Sequence, residues 1–103
     1  MLPKRLRELP VAATCAGLTI LEANSPRAQL LGLALLREPP PDVALHFPRC
    51  RSVHTFGMRF PIDIAFLDAR GCTIRTYRAV PPNRVRTCRA ARAVLEKPTG
   101  AAP

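Results

Sequence analysis

The sequence predicts a mainly β fold: a small antiparallel barrel or sandwich with one covering helix at about residues 25–37. Three observations carry this. Twelve prolines in 103 residues cut the chain into short pieces. Several runs alternate apolar and polar residues at every second position, the period of a half-buried strand. Only one stretch has the broad apolar spacing of a helix. The length makes one domain with one modest core, burying roughly two-thirds of the unfolded surface. Trp is absent, so aliphatic side chains must supply most of that core.

Residues 1–15 read as a basic, poorly ordered lead-in, 16–100 as a single domain and 101–103 as a tail. The run from Val11 to Leu21 follows a basic start and resembles a weak export signal. Glu8, Pro10 and the polar Thr14, Cys15 and Thr19 argue against that, and the stretch reads better as a first strand, clearest at Leu18–Glu22. Ser25-Pro26 announces the helix. A serine hydroxyl caps the first turn, and proline suits a position whose N–H needs no partner. Gly32 sits inside the expected helix, and Pro39-Pro40-Pro41 ends it. Val43–Phe47 alternates as a strand. Ile62, Ile64 and Phe66 alternate with Asp63, Ala65 and Leu67. Asp68-Ala69-Arg70-Gly71 is a hairpin loop, since Gly71 can take the positive φ that closes it. Cys72–Ala79 returns beside it. Val85–Cys88 and Ala93–Glu96 complete the strands, and an unpaired strand at the end of the sheet would invite a partner or a dimer.

The formal net charge is +9. Such a surface attracts phosphate backbones, and Arg84, Arg86, Arg89 and Arg92 form the densest basic run, the candidate anion-binding set. The arginines are otherwise scattered, so a solvated basic face is favoured over nucleic acid. The four cysteines, Cys15, Cys50, Cys72 and Cys88, contain no CxxC pair, which argues against a zinc ribbon or a thioredoxin-type site. The thiols are expected to be reduced and the protein cytoplasmic. No run is long enough to cross a bilayer.

The segment 50–68 concentrates the chemistry. His46, Cys50, His54 and Met58 recur every fourth residue, which on a helix would align soft metal ligands. Pro48, Gly57 and Pro61 break any such helix, and on a strand successive members stand ~13 Å apart. No metal or cofactor is therefore expected. Cys50 with His54 could form a nucleophile and base, but no known local signature surrounds them, and a thiol packed as a small hydrophobe is the simpler reading. Asp63 interrupts an apolar strand. Either it anchors backbone, or it shares a cleft with Glu96 as an acid or base. Gly57 and Met58 read as a tight turn, with Phe56 and Phe60 filling the interior.

Ser52-Val53-His54-Thr55-Phe56-Gly57-Met58, then Pro61-Ile62-Asp63-Ile64-Ala65-Phe66-Leu67-Asp68 and Gly71, and finally Ala93-Val94-Leu95-Glu96 with Pro98 and Gly100, closely resemble the DUF192 (UPF0127) family. Arg27 and Leu31-Gly32-Leu33 resemble its early element. The resemblance spans about residues 18–100 and implies a β-rich fold of jelly-roll-like or barrel character, with no established activity. Lys97 and Thr99 depart from it, since the family usually carries Leu and Ala there.

Three functions follow as expectations. The first is a non-catalytic binding or accessory module, with Phe56, Met58, Asp63 and Glu96 at its surface and an unknown protein or small molecule as partner. The second is a small hydrolase using His54 with Asp63 or Glu96. The third is anion or nucleic-acid binding by the four arginines.

Overall fold

The computed structural model describes residues 2–15 and 17–100. The tail expected at 101–103 lies outside them. The basic stretch expected as a lead-in holds a short helix, α1 (Lys4–Arg7), and a strand, β1 (Val11–Cys15). Leu6 of α1 is buried in the core, which is what ties this segment down.

The remaining elements are β2 (Leu18–Glu22), α2 (Pro26–Leu31), β3 (Val43–Pro48), β4 (Ser52–His54), β5 (Ile62–Leu67), β6 (Thr73–Val80), β7 (Val85–Thr87) and β8 (Ala93–Pro98). Six strands form one sheet in the order β1-β2-β3-β8-β5-β6, and β4 pairs with β7 in a separate ribbon. The result is an open, sandwich-like arrangement and not a closed barrel. Phe47, Ile62, Ile64, Phe66 and Val94 project from the sheet into the core, and Val53 enters it from the ribbon.

Three expectations are corrected. The sheet is mixed, because β2 and β3 run parallel with Thr19 opposite Val43. Parallel neighbours need a crossover connection, and α2 lies within it. The helix is also shorter than 25–37. Ser25 caps it as expected, its Oγ accepting from the Ala28 N–H at 3.1 Å. Gly32, with φ of 48° and ψ of −124°, then ends it. The chain beyond winds through Leu35, itself at φ 66°. The Ala93–Glu96 strand is no edge either, since β8 lies between β3 and β5.

The exposed edges are β1 and β6. β6 carries Arg75 and Arg78, charges that discourage another strand from pairing. β1 (Val-Ala-Ala-Thr-Cys) has none, and every residue in it is exposed. A bulge between Val11 and Ala13 interrupts its pairing with β2. Among the described residues no helix is long and apolar enough to cross a membrane.

Candidate functional site

The turn after β4 is organised by Thr55, which was not among the candidate site residues. Thr55 is fully buried. Its hydroxyl donates to the Pro81 carbonyl at 2.7 Å and accepts the Arg84 N–H at 2.8 Å. Its own N–H donates to the Arg84 carbonyl, and its carbonyl accepts from Met58 and Asn83. One side chain thus ties the Gly57–Met58 turn to the 81–84 loop. The signal was available: Thr55 follows Val53 at strand period, on the inward face.

Gly57 takes a φ of 77°, which lets the turn close with Met58 directed inward. Met58 is 5% exposed, so it fills the core and does not belong to a surface. Phe56 is the converse. It is 51% exposed and stacks beside His54 with ring centroids 5.6 Å apart, while Phe60 is buried as expected. The His54 Nδ1 accepts the Phe56 N–H at 3.2 Å, and Nε2 then carries the proton and donates to the Leu30 carbonyl at 2.9 Å. Both ring nitrogens are engaged in holding backbone.

Around this histidine lies an apolar end of the molecule. Leu30 and Leu35 are 65% and 63% exposed. The Leu35 N–H donates to the Gly57 carbonyl at 2.8 Å, and Val85, also exposed, pairs with His54 across the ribbon. Both leucines fall within the helix expected at about residues 25–37, whose apolar face would be buried. Leu30 faces outward on α2 itself, none of whose residues is buried, and Leu35 turns outward because Gly32 breaks the helical period.

The two carboxylates do not meet. Asp63 pairs with Lys97 and Ile64 with Glu96 between β5 and β8, so Asp63 and Glu96 project from opposite faces of the sheet. Asp63 Oδ1 accepts the Ala79 N–H at 2.8 Å and the Thr99 hydroxyl at 2.9 Å. Ala79 is held at φ 51° beside a bulge opposite Ile62–Ile64, so this carboxylate anchors irregular backbone. It also borders a small, mostly apolar hollow of about 180 Å³ on the outer face, with Leu18, Ala44, Leu95 and Arg78.

Glu96 lies on the core face, 2% exposed. A backbone hydrogen bond from Leu33 favours its charged form, but burial dominates and pushes its carboxyl up to about 8. Its Oε1 has no hydrogen-bond partner. The chain at Gly32 passes so close that a Cβ there would stand 2.9 Å from this oxygen. On the other side, the Arg5 guanidinium donates to the Gly32 carbonyl at 2.7 Å and to the Ala34 carbonyl. Burial, then the nearby Arg27, lowers the Arg5 pKa.

The four arginines expected as one anion site have different surroundings. Arg84 donates to the Pro82 and Asn83 carbonyls, and Arg86 lies over the Tyr77 ring at 5.3 Å. Arg89 is exposed, and Arg92 borders a different hollow with Arg49 and Arg51. The recurring sulfur and imidazole residues disperse as well. His46 Nδ1 pairs with Glu22 at 2.6 Å, and the Cys50 thiol donates to the Ser52 carbonyl at 3.2 Å. No group of three potential metal ligands occurs among the described residues. Burial raises the Cys50 pKa, the opposite of an activated nucleophile.

These features define a small β domain of the sandwich-like class, with buried carboxylates in its frame and an exposed apolar end. The chain belongs to the DUF192 family ("Uncharacterized ACR"), whose model matches residues 10–103. No curated protein matches it. Two crystal structures share the fold. One, from Sinorhizobium meliloti 1021, is provisionally described as a transcription regulator; it is 24% identical with a TM-score of 0.70, over 81% of this chain and 70% of that one. The other, a protein of unknown function from Novosphingobium aromaticivorans DSM 12444, is 20% identical with a TM-score of 0.71, over 88% and 73%.

Proposed function

We propose that this DUF192 domain is a non-catalytic binding or accessory module whose contact surface is the apolar end around His54. The observation that carries the reading is the exposure of Leu30, Leu35, Phe56 and Val85 on segments tied to one another through His54 and Gly57. Large apolar side chains gathered at one place on a small domain mark contact sites more often than chance exposure. Arg59 and Arg84 adjoin the patch in the chain and are exposed, and Arg27 precedes Leu30 by one helical turn. A protein partner with an apolar centre and an acidic rim fits this surface. The free thiols at Cys15, Cys50, Cys72 and Cys88 support a reducing, cytoplasmic setting.

A photoreactive amino acid at position 56 tests the reading in the native host. A discrete cross-linked partner, lost when Leu35→Asp is added and retained when Arg70→Asp is added, is the expected result. An identical cross-linking pattern in all three proteins overturns it. Phe56 is exposed, so Phe56→Asp should change stability by less than about 0.5 kcal/mol while abolishing partner binding.

The hydrolase alternative draws little support from an imidazole with both nitrogens occupied and carboxylates on opposite faces. The provisional description of the Sinorhizobium relative offers a nucleic-acid role some support, but Arg84 is turned to its own loop carbonyls and Arg86 to the Tyr77 ring, which weighs against it. Pairing of a second strand along the uncharged β1 edge is a further route to a partner or a dimer.

A further inference from the structure

Away from the apolar end, Arg49, Arg51 and Arg92 surround an open hollow of about 630 Å³, together with Cys50 and Ser52. The three arginines come from two distant stretches of sequence, and only Arg92 belongs to the densest basic run. No carboxylate is among the lining residues. Like charges gathered about one concavity repel unless an anion joins them. The arrangement is also held in place. Arg51 Nε donates to the Ala91 carbonyl at 3.2 Å, which fixes the plane of its guanidinium and leaves its terminal nitrogens over. The Arg92 N–H donates to the Leu67 carbonyl at 2.7 Å. Arg49 is kept at φ 51°, a conformation that side chains other than glycine rarely adopt. Ser52 Oγ bonds to Thr87 Oγ1 at 2.9 Å, joining the floor of the hollow to β7.

We propose that this hollow binds the phosphoryl group of a small phosphorylated molecule. Guanidinium groups match phosphate oxygens in paired, charge-assisted hydrogen bonds. The volume falls within the range of small-molecule sites and exceeds what a bare oxyanion fills, so an organic group attached to the phosphate has room. Cys50 lines the site as a half-buried thiol with a raised pKa, so the site binds and does not attack its ligand.

Inorganic phosphate and phenyl phosphate serve as probes, titrated at about 0.15 M salt to screen diffuse attraction. Saturable one-to-one binding is expected, with slower alkylation of Cys50 by iodoacetamide and unchanged alkylation of the exposed Cys15 and Cys72. Arg49→Ala and Arg92→Ala should each weaken binding about tenfold, while Arg78→Ala, which removes the same charge at the opposite end of the β5–β6 pair, should not. Tighter binding of phenyl phosphate identifies a phosphomonoester as the ligand; equal or tighter binding of phosphate identifies the free ion. The proposal falls if Arg78→Ala weakens binding as much, if Cys50 is unprotected, or if only a single-stranded oligonucleotide binds. None of these outcomes bears on the partner surface at Phe56.

Discussion

Asp63 and Glu96 are both buried carboxylates on adjoining strands, one register step apart, yet they live in opposite chemical worlds. Asp63 spends one oxygen on two donors, the Ala79 N–H and the Thr99 hydroxyl. Glu96 receives a bond from Leu33 but keeps Oε1 unpartnered against Gly32. A single step along a strand turns a side chain to the other face, and the face decides everything else. One carboxylate holds irregular backbone; the other sits in the core at the expense of its charge.

The largest effect expected from breaking this contrast is at Glu96. Its carboxyl is raised from 4.5 to about 8 in the folded protein. Below 4.5 it is protonated whether the chain is folded or not. Between 4.5 and about 8 the unfolded chain ionises first, so stability falls as pH rises. The full loss is on the order of 5 kcal/mol and is complete above the folded value. Glu96→Gln should match the parent near pH 4 and exceed it increasingly toward pH 8, as read by urea denaturation across that range. Parallel pH curves for the two proteins would remove the distinction between the carboxylates.

Asp63→Ala comes next. It strands the Ala79 N–H at a strained position and should cost about 3 kcal/mol, whereas Asp63→Asn keeps an acceptor and should cost about 1 kcal/mol. Equal losses in thermal denaturation would mean that space-filling, not the hydrogen bonds, is what Asp63 supplies. The smallest of the three concerns Gly32→Ala. A Cβ there meets Glu96 Oε1 at 2.9 Å and the Phe47 ring at 3.3 Å, on a backbone with φ 48°. The expected loss is about 2 kcal/mol. Combining it with Glu96→Ala, which clears the carboxyl, should recover part of that loss; strictly additive effects would show that the loop and the carboxyl do not press on each other.

Most strands were legible because their apolar alternation is long enough to read. Ile62–Leu67 and Leu18–Glu22 have the bounds expected of them, and the Asp68–Gly71 loop closes as its residues require, with Asp68 Oδ1 accepting from Arg70 and Cys72. Ser52–His54 is three residues long, too short for any period to show. The helix was overextended because Leu33 and Leu35 continue an apolar spacing that Gly32 cuts off. The site was less legible for a related reason. Whether Asp63 and Glu96 share a cleft depends on which residues of β5 and β8 stand opposite each other, and that register is a property of pairing, absent from either segment alone. Phe56 leaves the interior place expected of it for the same kind of reason: the turn at Gly57 directs Met58 inward and leaves Phe56 exposed. The Arg49, Arg51 and Arg92 group is assembled by tertiary folding from positions far apart in the chain.

β8 has a consequence for how the chain folds. It is the last strand among the described residues and lies in the middle of the sheet, between β3 and β5. Until it arrives, those two strands have unpaired apolar flanks and no sheet spans them. The early hairpin β1–β2 and the later hairpin β5–β6 can form locally, but they are joined only when this segment inserts between them. Folding should therefore be slow for a domain of this size and cooperative around one late step, and during that wait β3 and β5 are the segments most open to aggregation.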